Sequence, residues 1–334
     1  MTSRKPLTAR RWVGTMGALA ALLCVSGLLA LWVGAAPLDW SQINDEGSAA
    51  ASVFWDQRLP RVVMGLLAGA ILGLCGAALQ GLLRNDLAEP FVLGVSGGAA
   101  LGSALATILG LATVGELIGG FGGALLALVG VTALATRHGR LRPVDMLLIG
   151  VVFNAFAGAA LLLVQALADA AMVQRILLRL MGSLSVDPGH PWVPYLLAGS
   201  LGVAVAFVAP ASRALDVLAL GDDTASSLGV SPDSLRLRIF VALSLPIGAV
   251  VAATGMIGFV GLIVPHAVRR LVGPDHRLLL PASTLGGAVV LVVADATVRH
   301  LEPLIGTELP VGIVTAVVGG PIFIGLLRRS SGGR

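Results

Sequence analysis

The residues able to do chemistry in this chain are few, and they cluster in its short polar segments. The most conspicuous is RALDVLALGDDTASSLGVSPDSLRLR at 213–238. An apolar run there (Leu215, Leu218, Leu220) leads into Gly221, an acidic pair Asp222–Asp223, small residues, and Gly229 before Ser231–Pro232. That pattern predicts a short helical element over about 215–229 with glycine-set ends. Its apolar face suits a partner's groove. The acidic pair either meets basic residues of that partner or caps a helix N-terminus. Bond-making chemistry has no comparable support. After Lys5 there is no lysine, so a phosphate-binding loop of the lysine-bearing type is excluded. No HExxH is present, and no GxSxG sits in a strand–turn–helix context. Histidines 138, 190, 266, 276 and 300 are scattered, mostly at the ends of apolar runs, and form no metal-ligand spacing.

The elements that position these residues are membrane helices. Of 334 residues 56% are hydrophobic and 12% charged, and the mean hydropathy is +0.93. A spanning helix needs ~20 mostly apolar residues, and candidate runs lie at 12–34, 62–82, 92–110, 116–136, 143–166, 191–210, 239–256, 258–271, 278–298 and 309–327. Ten spans put both termini on one side. Seventeen of the 22 basic residues then fall on that side and five (Arg58, Arg61, Arg175, Arg179, Arg299) on the other. Positive charge marks the cytoplasmic side, so loop 213–238 is cytoplasmic and the segment 167–190, with a short helix at 171–181, is external. The first apolar run is read as a retained helix, not a cleaved signal. Strands are not expected, since the runs lack period-two alternation.

The high isoelectric point, near 10, is a product of these short basic loops and does not point to nucleic acid. Cys24 and Cys75 lie inside apolar runs, where no disulfide is expected. Gly65, Gly69, Gly73, Ala77 and Gly81 form a small-residue stripe, suited either to internal helix packing or to a subunit interface. Pro246 and Pro265 mark irregular spans, which either line a pathway or kink for packing. Asp145, Glu116, Asp169, Asp295 and Glu308 all fall near span ends, so the span centres are almost without ionisable groups. An ion-coupled carrier working alone keeps such groups near mid-membrane; that alternative is disfavoured, while composition leaves a membrane scaffold or receptor without transport open. Among transport readings, what remains is a pore or carrier driven by a separate subunit.

Several motifs carry a specific resemblance. RLPRVVMGLLAGAILGLCGAALQGLLRNDLAEPFVLGVSGGAALG at 58–102, LALGDDTASSLGV at 218–230, IGFVGLIVPHAVRRLVGPDHRLLLPAS at 257–283 and ELPVGIVTAVVGGPIFIGLLRR at 308–329 resemble the FecCD-like permeases of bacterial type II ABC importers, which take up iron–siderophore complexes, haem and vitamin B12. The resemblance runs from about residue 50 to the end. It implies one all-α integral permease domain of ten helices in the inner membrane and a second copy of the chain as partner. It further implies two cytoplasmic ABC ATPase subunits that hold the ATP and magnesium, and a periplasmic or lipid-anchored substrate-binding protein. The chain itself would bind no cofactor or metal and catalyse no reaction.

Residue by residue, the resemblance assigns Arg58, Arg61 and Arg299 to docking glutamates of the binding protein; membrane-end snorkelling is the plainer reading. It assigns 213–238, with Leu215, Leu218, Leu220, Gly221, Asp222, Asp223 and Gly229, to ATPase coupling. Asn85 and Leu87 fall at a cytoplasmic gate, or else in an ordinary tight turn. Here Asp86 stands where relatives often carry proline. Asn154 and Gly158 lie on a helix that lines the pathway in the family, though Asn154 could equally hydrogen-bond a neighbouring helix. Arg179, where an aromatic is common, either meets an anionic ligand at the external mouth or is an interfacial charge.

Overall fold

A computed structural model describes residues 8–34, 38–45, 47–91, 94–111, 113–137, 140–307 and 309–331. His138 and Glu308, both noted above, lie outside the described residues. The chain runs α1 (Ala9–Trp32), α2 (Ala49–Ser52) with a π-helical turn at Val53–Arg58, α3 (Leu59–Leu83), α4 (Val95–Ile108), α5 (Thr113–Ala135), α6 (Pro143–Leu167) and α7 (Ala170–Leu180). It continues through α8 (Val193–Val208), α9 (Ser212–Leu218), α10 (Asp222–Ser227), α11 (Pro232–Thr254), α12 (Val260–Val272), α13 (His276–Ile305) and α14 (Val311–Ser331). The strand structure among the described residues is a two-residue antiparallel ladder, Thr136–Arg137 with Arg140–Leu141.

Each of the ten expected spans has its helix. Six stretches are long and apolar enough to cross a bilayer by themselves: α1, the run from α2 into α3, α5, α6, α11 and α13. The others are shorter. The apolar helix α4 has 14 residues and α12 has 13, while α8 joins α9 through a 56° bend. At 1.5 Å per residue neither α4 nor α12 crosses ~30 Å of hydrocarbon alone. Each is preceded by irregular backbone, at 84–91 before α4 and at 255–259 before α12. Gly94 (φ 82°) and Gly255 (φ 74°) supply left-handed turns there, and Phe259 takes a positive φ of 69° despite its side chain. Such backbone is tolerated at membrane depth where protein buries it. The prolines do not break the spans: α11 continues through Pro246 and α12 through Pro265.

The centre of the molecule is α3, with 83% of its apolar window buried, against 11% for α1 and 17% for α6, whose outer faces are open. The small-residue stripe explains how α3 fits. A Cβ at Gly69 would lie 2.3 Å from the Gly287 carbonyl oxygen, and one at Gly73 2.1 Å from that of Ser283, both on α13. At Gly76 the clash is with the Gly261 backbone of α12 at 1.9 Å. Of the two uses weighed for this stripe, these contacts are internal packing. A second seam joins α4 to α5, where Gly98 and Gly102 face Gly123 and Gly119. Cys75 is buried and Cys24 exposed, and neither is bonded.

Candidate functional site

The polar groups collect at the two ends of the helices. On the side carrying the 213–238 loop, the expected coupling element is two short helices rather than one. α9 stops at Leu218; Gly221 (φ 117°, ψ 156°) turns the chain into α10; Gly229 (φ 81°) ends it. Leu215 and Leu218 are fully buried, packed into the chain's own core. The apolar face expected to meet a partner is therefore not the Leu215–Leu218 face, because the short helices must bury it to stay docked. Leu220, 57% exposed, and Leu228, 61% exposed, are the outward apolar residues.

The acidic pair divides in the same way. Asp223 is exposed. Asp222 accepts a two-pronged bond from Arg236 of α11 (2.8 and 2.9 Å) and pairs with Arg84 Nη2 at 2.8 Å. The hydrogen bonds from Arg236, with the charges of Arg236 and Arg84, hold the Asp222 carboxyl below the usual carboxylate range. Arg236 is 1% exposed, so its guanidinium depends on that carboxylate. Nearby, Asp216 of α9 accepts from the backbone N–H of His276 at 3.0 Å and contacts its Nδ1 at 2.7 Å.

The proposed gate turn adjoins this cluster. Arg84 ends α3 in the left-handed region (φ 49°). Asn85 Oδ1 accepts from the Leu87 N–H at 2.9 Å, and the Asn85 carbonyl from the Ala88 N–H at 3.0 Å, a side-chain-stabilised turn. Leu87 is left 47% exposed. Asp86 forms an ion pair with Arg269 near the end of α12. The contact ties the side chain of Asp86 to α12 but does not fix its φ as a proline ring would. A few residues on, buried Glu89 Oε1 accepts from the Phe259 N–H at 2.5 Å, holding together the two irregular segments.

At the opposite end the three arginines expected to await a partner are turned inward. Arg58 is 5% exposed and donates to the carbonyls of Leu31 (3.0 Å) and Trp32 (3.1 Å). Arg299, also 5% exposed, donates to Val33 O (2.7 Å) and Asp295 (2.9 Å). Arg61 donates to the other Asp295 oxygen at 2.8 Å and to Ser185 at 3.4 Å. The cause is local: the last carbonyls of α1 have no helical partners, and Asp295, 1% exposed, needs counter-charge. Trp32, Trp40, Phe54 and Trp55 form a ring chain beside them, with centroids 5.0–5.9 Å apart; aromatics favour this membrane–water boundary.

The pathway candidates lie on α6 and α7. Asn154 Nδ2 on α6 donates to the Phe91 carbonyl at 2.5 Å, so its amide bonds a neighbouring segment. Gly158, on the same helix, has open space where a Cβ would stand. Arg179 of α7 pairs with the buried Glu116 of α5 and donates to Ala252 O at 3.0 Å. It borders a small cavity lined also by Ser103, Thr107 and Met256. Among the described residues no group of three His, Cys, Asp or Glu side chains is placed to hold a metal.

The pairs Asp222–Arg84, Asp86–Arg269, Asp216–His276 and Glu116–Arg179 were not anticipated from the sequence. Their partners stand 60 to 183 residues apart for the last three, and no spacing signals them.

Residues 22–329 match the model of the FecCD transport family. The chain belongs to the FecCD transport family. It is 40% identical over 308 residues to an uncharacterized ABC transporter permease protein, YvrB, of Bacillus subtilis, covering 87% of this chain and 83% of the relative. It is 36% identical to the hemin transport system permease protein HmuU of Yersinia pestis (94% and 95% covered). It is 37% identical to the vitamin B12 import system permease protein BtuC of Vibrio vulnificus (96% of each). A solved metal-chelate type ABC transporter in an inward-facing conformation superposes with a TM-score of 0.83 at 30% identity, over 95% of this chain and 99% of that one. The expected type II importer fold is thereby met, and the FecCD chain is a multi-pass permease of the inner membrane, a transport subunit of an ABC importer.

Proposed function

We propose that this FecCD permease carries a metal-centred organic cargo (an iron–siderophore complex, haem or vitamin B12) from an external binding protein to the cytoplasm. The relatives named for hemin and vitamin B12 stand at nearly equal identity, 36% and 37%, which supports the class and leaves its members equal. A second copy of the chain completes the pathway. Two cytoplasmic ATPase subunits bind ATP and magnesium and supply the drive, while the permease itself binds no cofactor.

One observation carries the coupling assignment: the α9–α10 element is anchored to its own subunit by buried Leu215 and Leu218 and by Asp222, yet presents Leu220, Asp223 and Leu228 outward. An anchored element with an exposed apolar and acidic tip suits a groove with basic residues. Docking of the binding protein is assigned to the surface around Arg58, Arg61 and Arg299. There the arginines first serve the fold, and a partner carboxylate would compete with Asp295. Gating is assigned to the Asn85–Leu87 turn. Asn154, Gly158 and Arg179 are assigned to the walls around the pathway, with the Arg179–Glu116 pair stiffening its external end.

The test is to purify the tagged permease from native membrane, identify the subunits that co-isolate, and reconstitute them with the neighbouring binding protein. ATP-dependent uptake of one cargo of this class is expected. Uptake by the permease alone, driven by an ion gradient, would overturn the proposal.

A further inference from the structure

The coupling element and the gate turn lie in one charge cluster, and its parts differ in strength. Asp222, the first residue of α10, holds two arginines. The arm to Arg236 is fork-on-fork and rooted in a 1% exposed guanidinium on α11. Planar two-bond pairing fixes direction as well as distance. The arm to Arg84 is one contact of 2.8 Å, between side chains 36% and 40% exposed. Solvated single contacts of this kind make and break readily.

Arg84 is the pivot between the most buried helix and the gate. Behind it α3 is locked by Gly69, Gly73 and Gly76 against α13 and α12. Ahead of it lie Asn85, whose N–H still donates to the Gln80 carbonyl of α3 at 3.1 Å, and Leu87, whose N–H is held by the Asn85 side chain. Asp86, next to Arg84, is drawn the other way by Arg269 of α12. The turn is thus suspended between a carboxylate on α10 and a guanidinium on α12. A displacement of α10 that carries Asp222 would bear on Arg84 as well as on Arg236.

We propose that Asp222 and Arg84 are positioning residues that transmit movement of α10 to the 84–87 turn, with Arg236 as the fixed anchor and Arg269–Asp86 as the opposing tether. This rests on the reading of α9–α10 as the ATPase-coupling element. The arrangement belongs to this chain's own residues, including the aspartate at position 86.

The experiment uses the permease–ATPase complex in lipid nanodiscs. Cys24 is replaced by serine, Cys75 by alanine, and Leu87 by cysteine as reporter. The rate of labelling at position 87 by a water-soluble maleimide is compared without nucleotide and with magnesium-ATP plus vanadate. In this parent, nucleotide should change the rate by about 5–150-fold, the span of ordinary coupling between sites. In Arg84→Gln the nucleotide effect should fall to near unity although ATP is still hydrolysed, and Arg84→Lys should restore part of it. Melting temperatures of the variants, equal to the parent's, separate loss of transmission from loss of fold. An unchanged nucleotide effect in Arg84→Gln would overturn the inference while leaving the importer reading intact. No nucleotide effect in the parent itself would overturn both.

Discussion

Replacing Gly73 by alanine tests the packing that holds the site in place. The added Cβ would sit 2.1 Å from the Ser283 carbonyl oxygen and 3.2 Å from Gly287 Cα. Contact at ordinary distance needs roughly 1 Å more separation between α3 and α13, since carbon atoms pack at about 3.5–4.0 Å. Overpacking of this kind costs about 1–3 kcal/mol, and a rigid backbone oxygen as neighbour places Gly73 at the upper end. Alanine recovers about 1 kcal/mol of helix propensity. The net expectation is ~2 kcal/mol of destabilisation, a fall of about 3 °C in melting temperature at ~2 cal/mol/K of unfolding entropy per residue over 334 residues. Gly65, on the same stripe, is the internal control. Its Cβ would meet the Leu184 and Val292 side chains at 3.3 Å, which can yield by a few tenths of an ångström. For Gly65→Ala the same ~1 kcal/mol of helix propensity offsets a mild overpacking cost of about 1 kcal/mol, so the change should be close to neutral. Thermal unfolding of both variants in one detergent gives the comparison. Equal melting temperatures for Gly73→Ala and Gly65→Ala would refute the internal-seam reading and return the stripe to a subunit interface.

Asp295→Asn removes the carboxylate shared by buried Arg299 and partly buried Arg61, and should cost about 3 kcal/mol in stability, the low end for breaking a buried pair; a melting temperature unchanged in detergent would show that these arginines do not depend on it. Leu215→Ala should destabilise by about 2–5 kcal/mol as a cavity in the core, whereas Leu220→Ser should leave melting unchanged and weaken ATPase association about tenfold, the effect of losing ~1.4 kcal/mol at an interface. The reverse pattern, read by thermal shift and co-elution, would place the contact face on the buried leucines after all. Because the folded Asp222 carboxyl is held below its ordinary value, the ionised form stabilises the cluster above about pH 4, and that contribution is lost only as pH falls through the lowered value. The ratio of labelling rates at position 87 with and without nucleotide, in which the pH dependence of the thiolate cancels, should therefore hold constant from pH 8 down to pH 5; a loss of that ratio between those limits would assign the linkage to another group.

The spans were legible because a bilayer imposes length and apolarity on one continuous stretch, and basic residues then report the side. The external helix expected at 171–181 stands at Ala170–Leu180, and α11 begins at Pro232 because Ser231–Pro232 is a helix-start signal that hydropathy ignores. Pairings were not legible. Composition gave Arg58, Arg61 and Arg299 as lone external charges, yet α1 ends beside them with carbonyls that only the fold brings within reach. Leu215 and Leu218 had the spacing of a contact face, which is also the spacing of a core face, and sequence pattern does not say which side is covered. Asp86 looked like the loss of a rigid proline; Arg269, 183 residues away, makes it a tether. Glu89 carries no sequence signal of its role, because only the fold brings its loop into the bundle and its carboxylate to the Phe259 N–H.

The central claim is that this chain transports only when an ATPase acts on the α9–α10 element. The most direct measurement is cargo uptake into proteoliposomes holding the permease with and without its co-isolated ATPase, with binding protein and cargo outside and magnesium-ATP sealed inside. The account predicts uptake only with ATPase and nucleotide together. Uptake without the ATPase, sustained by a proton or sodium gradient, would contradict it.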